Sequence, residues 1–239
     1  MSIRSLLEFH YAEQAIFEYM TVFALQLSLY IIASGVFTVF YKTLNRLKIG
    51  SRIELREKFK NQFLVDVKWS ISTCAIIALY FYMSLSFIDQ IYPSNFWSAI
   101  ANVIVFIVVY DLYMYLTHRA LHTSLLRRFH SVHHTAISAT PWSCLNMHPV
   151  EALINYLPFL LFAYLAPVSL LVFLGIHVYL IFGIANGHSN YTLAKKSSKF
   201  SLFGELSTFH QRHHSDGRGN YGYLFTHYDW AFRTRHLDS

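Results

Sequence analysis

The sequence predicts an all-α fold: a polytopic membrane helical bundle of three long spans plus a short helical hairpin, with a histidine-rich helical cap on one side. Composition is the first observation behind this. Hydrophobic residues make up 54% and aromatics 18%, whereas only 13% are charged, about half the charge of an ordinary soluble domain. The second is order along the chain: long apolar runs alternate with polar segments, and the histidines crowd into the polar segments that follow the runs. The chain is expected to form one integral membrane domain over residues 1–239.

Residues 16–41 and 70–92 are each long enough to cross about 30 Å of hydrocarbon at about 1.5 Å per residue. The segment before the first run carries Arg4, Glu8, His10 and Glu13, and the run exceeds a signal-peptide core, so it is expected to be retained. Residues 96–116 form a third span, joined to the second through Pro93, Ser94 and Asn95, a turn that favours an antiparallel hairpin. From 152 to 185 the chain is apolar again, interrupted by Pro158 and by Ala166 and Pro167. That pattern predicts two short helices folding back on each other, each near the lower limit for a span. Residues 53–67 mix Leu55, Phe59, Phe63 and Leu64 with charge, the pattern of an interfacial helix feeding the second span or of a solvated linker. Cys74 lies inside an apolar run and Cys144 near the histidines, too dissimilar in setting for a disulfide framework.

Charge sets the expected orientation. Lys42, Arg46, Lys48, Arg52, Arg56, Lys58, Lys60 and Lys68 lie between the first two spans, and Arg119, Arg127 and Arg128 lie after the third. Lys195, Lys196, Lys199, Arg212, Arg218, Arg233 and Arg235 complete a set of 18 of the 19 basic residues on one side, with Arg4 opposite. The positive-inside rule makes the crowded side cytoplasmic and explains the cations without nucleic acid, which is not expected as a partner. The expected home is the endoplasmic reticulum or a bacterial inner membrane.

Three boxes carry the chemistry: His118 and His122 in HRALH, His130, His133 and His134 in HSVHH, and His210, His213 and His214 in HQRHH. With 14 histidines in 239 residues, HxxHH is expected by chance roughly 0.05 times per chain. Two copies and an HxxxH are not scatter. On helices, residues three and four apart share a face, so each box is expected to aim its ring nitrogens into one volume. Imidazole suits iron, zinc, copper and nickel alike. Eight nitrogens exceed the four of a structural zinc site and fit two metal ions with four or five imidazoles each. No HExxH is present for a zincin, and dense boxes exceed the two axial ligands of a haem.

Read in order, DLYMYLTHRALH, HSVHH, HPVE at His148 to Glu151, ANGHSNY around His188, HQRHH and NYGYLFTHYDWAFRT span residues 111–234. This ordered set resembles the fatty acid hydroxylase and sterol desaturase superfamily of integral membrane di-iron enzymes. The resemblance implies that the eight box histidines ligate two iron ions, joined by His188, which stands where the family places a further histidine after the hairpin. It also implies a reaction in which dioxygen and two electrons hydroxylate or desaturate a lipid C–H bond, of sterol or fatty acyl type. The tail departs from the family pattern at Trp230 and Arg233, where Arg and Gly are usual, a difference that falls on the local turn.

No GxGxxG fingerprint appears and no length is expected to remain for a fused haem or flavin domain. Electrons are therefore expected from a separate NAD(P)H-linked carrier, cytochrome b5-like or ferredoxin-like, with its reductase. Asp111, seven residues before His118, is placed either to orient a ligand ring through its free N–H or as a span-end carboxylate facing water. Asn186, Asp216 and Asp229 are further candidates for supporting the ligands, Asn186 by holding His188 or acting through a water. His148 and Glu151 read as helix caps, His177 as a hydrogen-bonded interior histidine, and His10, His227 and His236 as surface groups. A membrane metal transporter and a non-catalytic metal-binding membrane protein are the competing readings.

Overall fold

The computed structural model describes residues 3–193 and 206–236. The side chains of Arg4 and His10, and residues Lys195, Lys196 and Lys199, lie outside that description. The described chain is mostly helical, and four of its helices are long and apolar enough to cross a membrane.

Helix α1 (Ile3–Arg46) is followed by α2 (Gln62–Leu85) and α3 (Phe96–Leu121). The turn into α3 works as its residues suggest. Asn95 Oδ1 accepts from Ser98 N, and Ser98 Oγ accepts from Asn95 N, a reciprocal capping box. The apolar stretch that follows the histidine loop is a pair of helices, α5 (Pro149–Leu165) and α6 (Leu170–Gly187). Pro158 sits inside α5 without ending it, and the break falls at Ala166 and Pro167 alone. A proline removes one backbone donor, and packing on both sides holds the helix together here. Tyr113 donates to the carbonyl of Ile154, the i−4 acceptor that the proline leaves without its helical donor, and Tyr80 donates to the neighbouring carbonyl of Leu153.

Helices α1, α3 and α6 run one way, and α2 and α5 the other. Tyr41 near the end of α1 donates to Asn186 near the end of α6, while Gln26 midway along α1 meets His177 midway along α6. The last turns of α1, α3 and α6 and the first turns of α2 and α5 therefore share one end of the bundle. The core between them is aromatic: Phe81, Phe106, Tyr110, Phe159 and Phe173 interlock with ring centroids 4.8–6.0 Å apart.

Two features of this end differ from the sequence expectation. Residues 53–61 are not a helix. Ser51–Arg52 (β1) pairs antiparallel with Tyr191–Thr192 (β2), and Asn190 Oδ1 then accepts from Glu54 N at 2.7 Å. This clip holds the segment extended until Asn61, in the left-handed region at φ 66°, turns it into α2. The HSVHH box is also only partly α-helical: α4 (Arg127–His130) is a single turn, and His133–Thr135 is a 3-10 turn. HQRHH lies on a regular helix, α7 (Leu206–Asp216), and the short α8 (His227–Ala231) closes the chain.

Candidate metal centre

All nine predicted histidines converge at this end of the bundle, in two adjacent groups. In the first, His118, His122, His130, His134 and His213 bring one nitrogen each within 4.8 Å of one another. In the second, His133, His188, His210 and His214 do the same. The boxes do not map one to one onto the groups. Each i, i+4 pair stays together, as the helical face demands, but the i+3 histidines, His133 and His213, cross over to the other group. HSVHH and HQRHH thus contribute to both groups, correcting for these two the expectation that each box serves a single volume, whereas HRALH keeps both its rings in one. The 3-10 turn and the rotation of about 300° over three helical residues aim the third ring away from the other two.

The nitrogens approach closely. Nε2 of His118 is 3.1 Å and that of His134 3.0 Å from Nε2 of His130, and His122 is 3.1 Å from His213. In the second group His188 lies 3.3 Å from His133 and 2.9 Å from His210, and His214 lies 3.1 Å from His210. Neighbouring ligands at about 2.1 Å from one metal are about 3 Å apart, so these spacings fit a metal in each group.

The opposite ring nitrogens fix the tautomers. Nδ1–H of His118 donates to Tyr221 O at 2.9 Å, His213 to Gly219 O at 2.6 Å, His133 to Asn146 O at 3.1 Å and His188 to Ile184 O at 2.8 Å. Nδ1–H of His130 donates to Glu151 Oε1 at 2.8 Å. With Nδ1 protonated, each Nε2 presents a lone pair inward. Lone pairs converging without a cation would repel, and so the donor set itself asks for metal. Burial keeps the rings neutral. It drives His122 and His133 down to about 4 and His188 down to about 3, with like-charged neighbours adding to the effect at each.

Glu151 is the residue that sequence reasoning missed. It reads as a cap, and His148 does cap α5, its Nδ1 accepting from Val150 N at 3.2 Å. Glu151 instead turns inward, is 2% exposed, and holds His130. A carboxylate in the first turn of an apolar helix needs a partner, and that was the available signal.

The other predicted supports stand one step farther out. Asp111 touches no ligand ring. Its Oδ1 accepts from Leu224 N and Phe225 N at 2.9 and 3.3 Å. Asp229 accepts from Tyr221 N and Gly222 N at 2.8 and 2.6 Å, bracing the loop whose carbonyl orients His118. Gly222 is required there, because a Cβ would strike the Phe225 carbonyl and come within 2.7 Å of Asp229 Oδ2. Asn186 is taken by Tyr41, and only its backbone carbonyl meets His188. Asp216 pairs with His236 at 3.5 Å. His177 is an interior histidine, 2.6 Å from Gln26 Oε1. His227 and His236 are half-buried beside Asp111 and Asp216 rather than free on the surface.

Two spaces adjoin the histidines. A small inner one is lined by Met114, Leu121, Met147, Ile184 and Tyr223 together with His118, His130, His133, His188 and His210. On the other side a cavity of about 240 Å³ is lined by His122, His130, His134 and His214, with Arg127 and Asp216 at its rim.

Several known proteins are similar to this chain. Lathosterol oxidase of Rattus norvegicus is 29% identical over 140 residues, covering 58% of this chain and 46% of its own. The very-long-chain aldehyde decarbonylases GL1-4 and GL1-6 of Oryza sativa subsp. indica are 34% and 31% identical over 134 and 175 residues. Those matches cover 50% and 66% of this chain but 21% and 27% of the relatives. The chain thus spans less than half the length of each of these relatives. No solved structure matches it. The fatty acid hydroxylase family matches residues 103–234, a stretch that holds every one of the nine converging histidines, and the chain belongs to that family.

Proposed function

We propose that this protein is a membrane-bound oxidoreductase that hydroxylates or desaturates a lipid C–H bond, sterol or fatty acyl in type, at a di-iron centre held by the nine histidines. The observation that carries this is the pair of histidine groups, five and four imidazoles, placed where apolar helices end. Two irons bound there would supply activation of dioxygen, taking two electrons and two protons to give one oxidised lipid and water.

The chain's own residues divide the remaining work. His118, His122, His130, His134 and His213 would hold one iron, and His133, His188, His210 and His214 the other, with Glu151 and the carbonyls of Tyr221, Gly219, Asn146 and Ile184 fixing the rings. Met114, Leu121, Met147, Ile184 and Tyr223 line the small inner space beside the rings together with Glu151 and Asn155, and they limit the water that can reach it. The solvent-side cavity is the natural approach for a small acidic electron carrier, and Arg127 at its rim supplies charge for docking. Such a carrier, cytochrome b5-like or ferredoxin-like, would draw on NAD(P)H through its reductase. The basic residues between the first spans favour a cytoplasmic position for this end. The relatives' names extend the candidate lipids from sterols to very-long-chain aldehydes.

A transporter would need ligands along a path through the bilayer. Among the described residues both groups sit at one end, and His177 at mid-depth is occupied by Gln26. The deciding experiment combines metal analysis of the purified protein with lipid profiling of cells expressing wild type or His133→Ala. Two irons per chain and an oxidised lipid lost in the variant are expected. Metal uptake with no change in any lipid would sink the enzymatic reading.

A further inference from the structure

A cavity of about 440 Å³ touches none of the nine histidines. It lies where α1 leaves the bundle and α2 enters it. Phe37, Tyr41, Phe63, Trp142 and Tyr191 make its wall, and Lys42, Arg52 and Lys58 stand around it. None of the three cations takes part in an ion pair among the described residues. Among the described residues the Arg52 guanidinium donates to Glu54 O and Ser138 Oγ. The one carboxylate in the lining, Asp66, is engaged by amide N–H groups from Gln62 and Asn146. Lys58 is held below the usual lysine range by burial and by the charges of Arg52 and Lys42. Three cations so placed leave the cavity with an excess of positive charge over a single anchored acid.

Aromatic side chains beside Lys and Arg are what a protein presents at the depth of lipid headgroups. The volume falls in the range of small-molecule sites and is far larger than one inorganic anion needs. We propose that this cavity binds the phosphate headgroup of an anionic membrane lipid, with its first acyl carbons against Phe63 and Trp142. The lipid is a bound partner and not the molecule oxidised, because no histidine reaches the cavity. The inference therefore stands apart from the reaction assigned above. It also gives the clip between β1 and β2 a purpose, since Arg52 and Tyr191 are paired across that clip and both line the cavity.

The test uses the full chain, purified in detergent and offered phosphatidylglycerol, phosphatidylcholine or inorganic phosphate, with retained lipid read by native mass spectrometry. At about 1 kcal/mol per cation near a membrane surface, each neutralised residue is expected to weaken phosphatidylglycerol retention roughly 5-fold. Wild type should prefer phosphatidylglycerol over phosphatidylcholine by 10-fold or more, and R52Q/K58Q should lose that preference. Lys42→Gln, on the exposed end of α1, provides a variant that leaves the clip intact. Iron content equal to wild type verifies that the variants fold. Equal retention of the two lipids by wild type, or a preference unchanged in both variants, overturns the proposal. So does inorganic phosphate displacing the lipid at equal concentration, which would make the cavity a soluble-anion site.

Discussion

The two histidine groups differ in number and in setting. The group of four is buried throughout, whereas His122 and His134 of the group of five are half-buried and open onto the solvent-side cavity. Three of the four buried rings, His133, His188 and His210, also face the inner apolar space. A metal in the group of four would keep more open coordination positions and stand in drier surroundings, the setting in which charge effects are strongest. The spaces are nonetheless shared, since His118 and His130 of the group of five also line the inner space and His214 of the group of four also lines the solvent-side cavity.

Removing ligands should break this comparison most sharply. His133→Ala, in the group of four, is expected to lower product formation at least about 100-fold and iron content from two to about one per chain, since losing a ligand exceeds the roughly 10–100-fold loss of an outer partner. His122→Ala, at the open edge of the group of five, should keep measurable activity. Equal losses in the two variants would mean that the groups are not distinct in role. Next in size is Glu151→Gln, which keeps the shape of the side chain but removes the carboxylate from His130. Metal affinity should fall roughly 10–100-fold, and iron titration of the apoprotein would reveal an unchanged value if Glu151 were only a cap.

Acid should then separate the folded site from free histidine. Because burial holds His122 and His133 to about 4 and His188 to about 3, iron retention should stay flat from pH 8 to about 5 and fall near pH 4. A solvated imidazole would titrate higher, at about 6.5; desolvation accounts for the difference. The apoprotein behaves differently. Its unfolded chain binds protons first as pH drops below about 6.5, so stability is lost between there and about pH 4 and levels off below the folded values. Thermal melts across that range would show a flat midpoint if the rings were solvated.

The smallest effect concerns the tail. Arg233 occupies the position where the family usually has glycine, and its φ is 55°, in the left-handed region. That conformation strains a residue that carries a Cβ. Arg233→Gly should raise stability by up to about 1 kcal/mol, readable as an upward shift of the melting midpoint with no change in iron content.

The apolar runs, the boxes and the ordered motifs were enough to identify the helices, the nine histidines and the family. Helical periodicity explains why: His118 with His122, and His210 with His214, must face the same way on any α-helix. The crossover of His133 and His213 was beyond that reasoning, since it depends on a 3-10 turn and on where α7 docks. Asp111 shows the same limit. Its seven-residue spacing from His118 is genuine, but the 221–225 loop, more than a hundred positions along the chain, takes up its carboxylate before any ligand ring can. By itself the sequence determined which histidines converge and that they do so where apolar helices end, because residue type and local period are local properties. Only the tertiary structure decided how nine rings divide into five and four, that Glu151 holds His130, and that a cation-lined cavity lies between α1 and α2, because each depends on segments distant in the chain packing side by side.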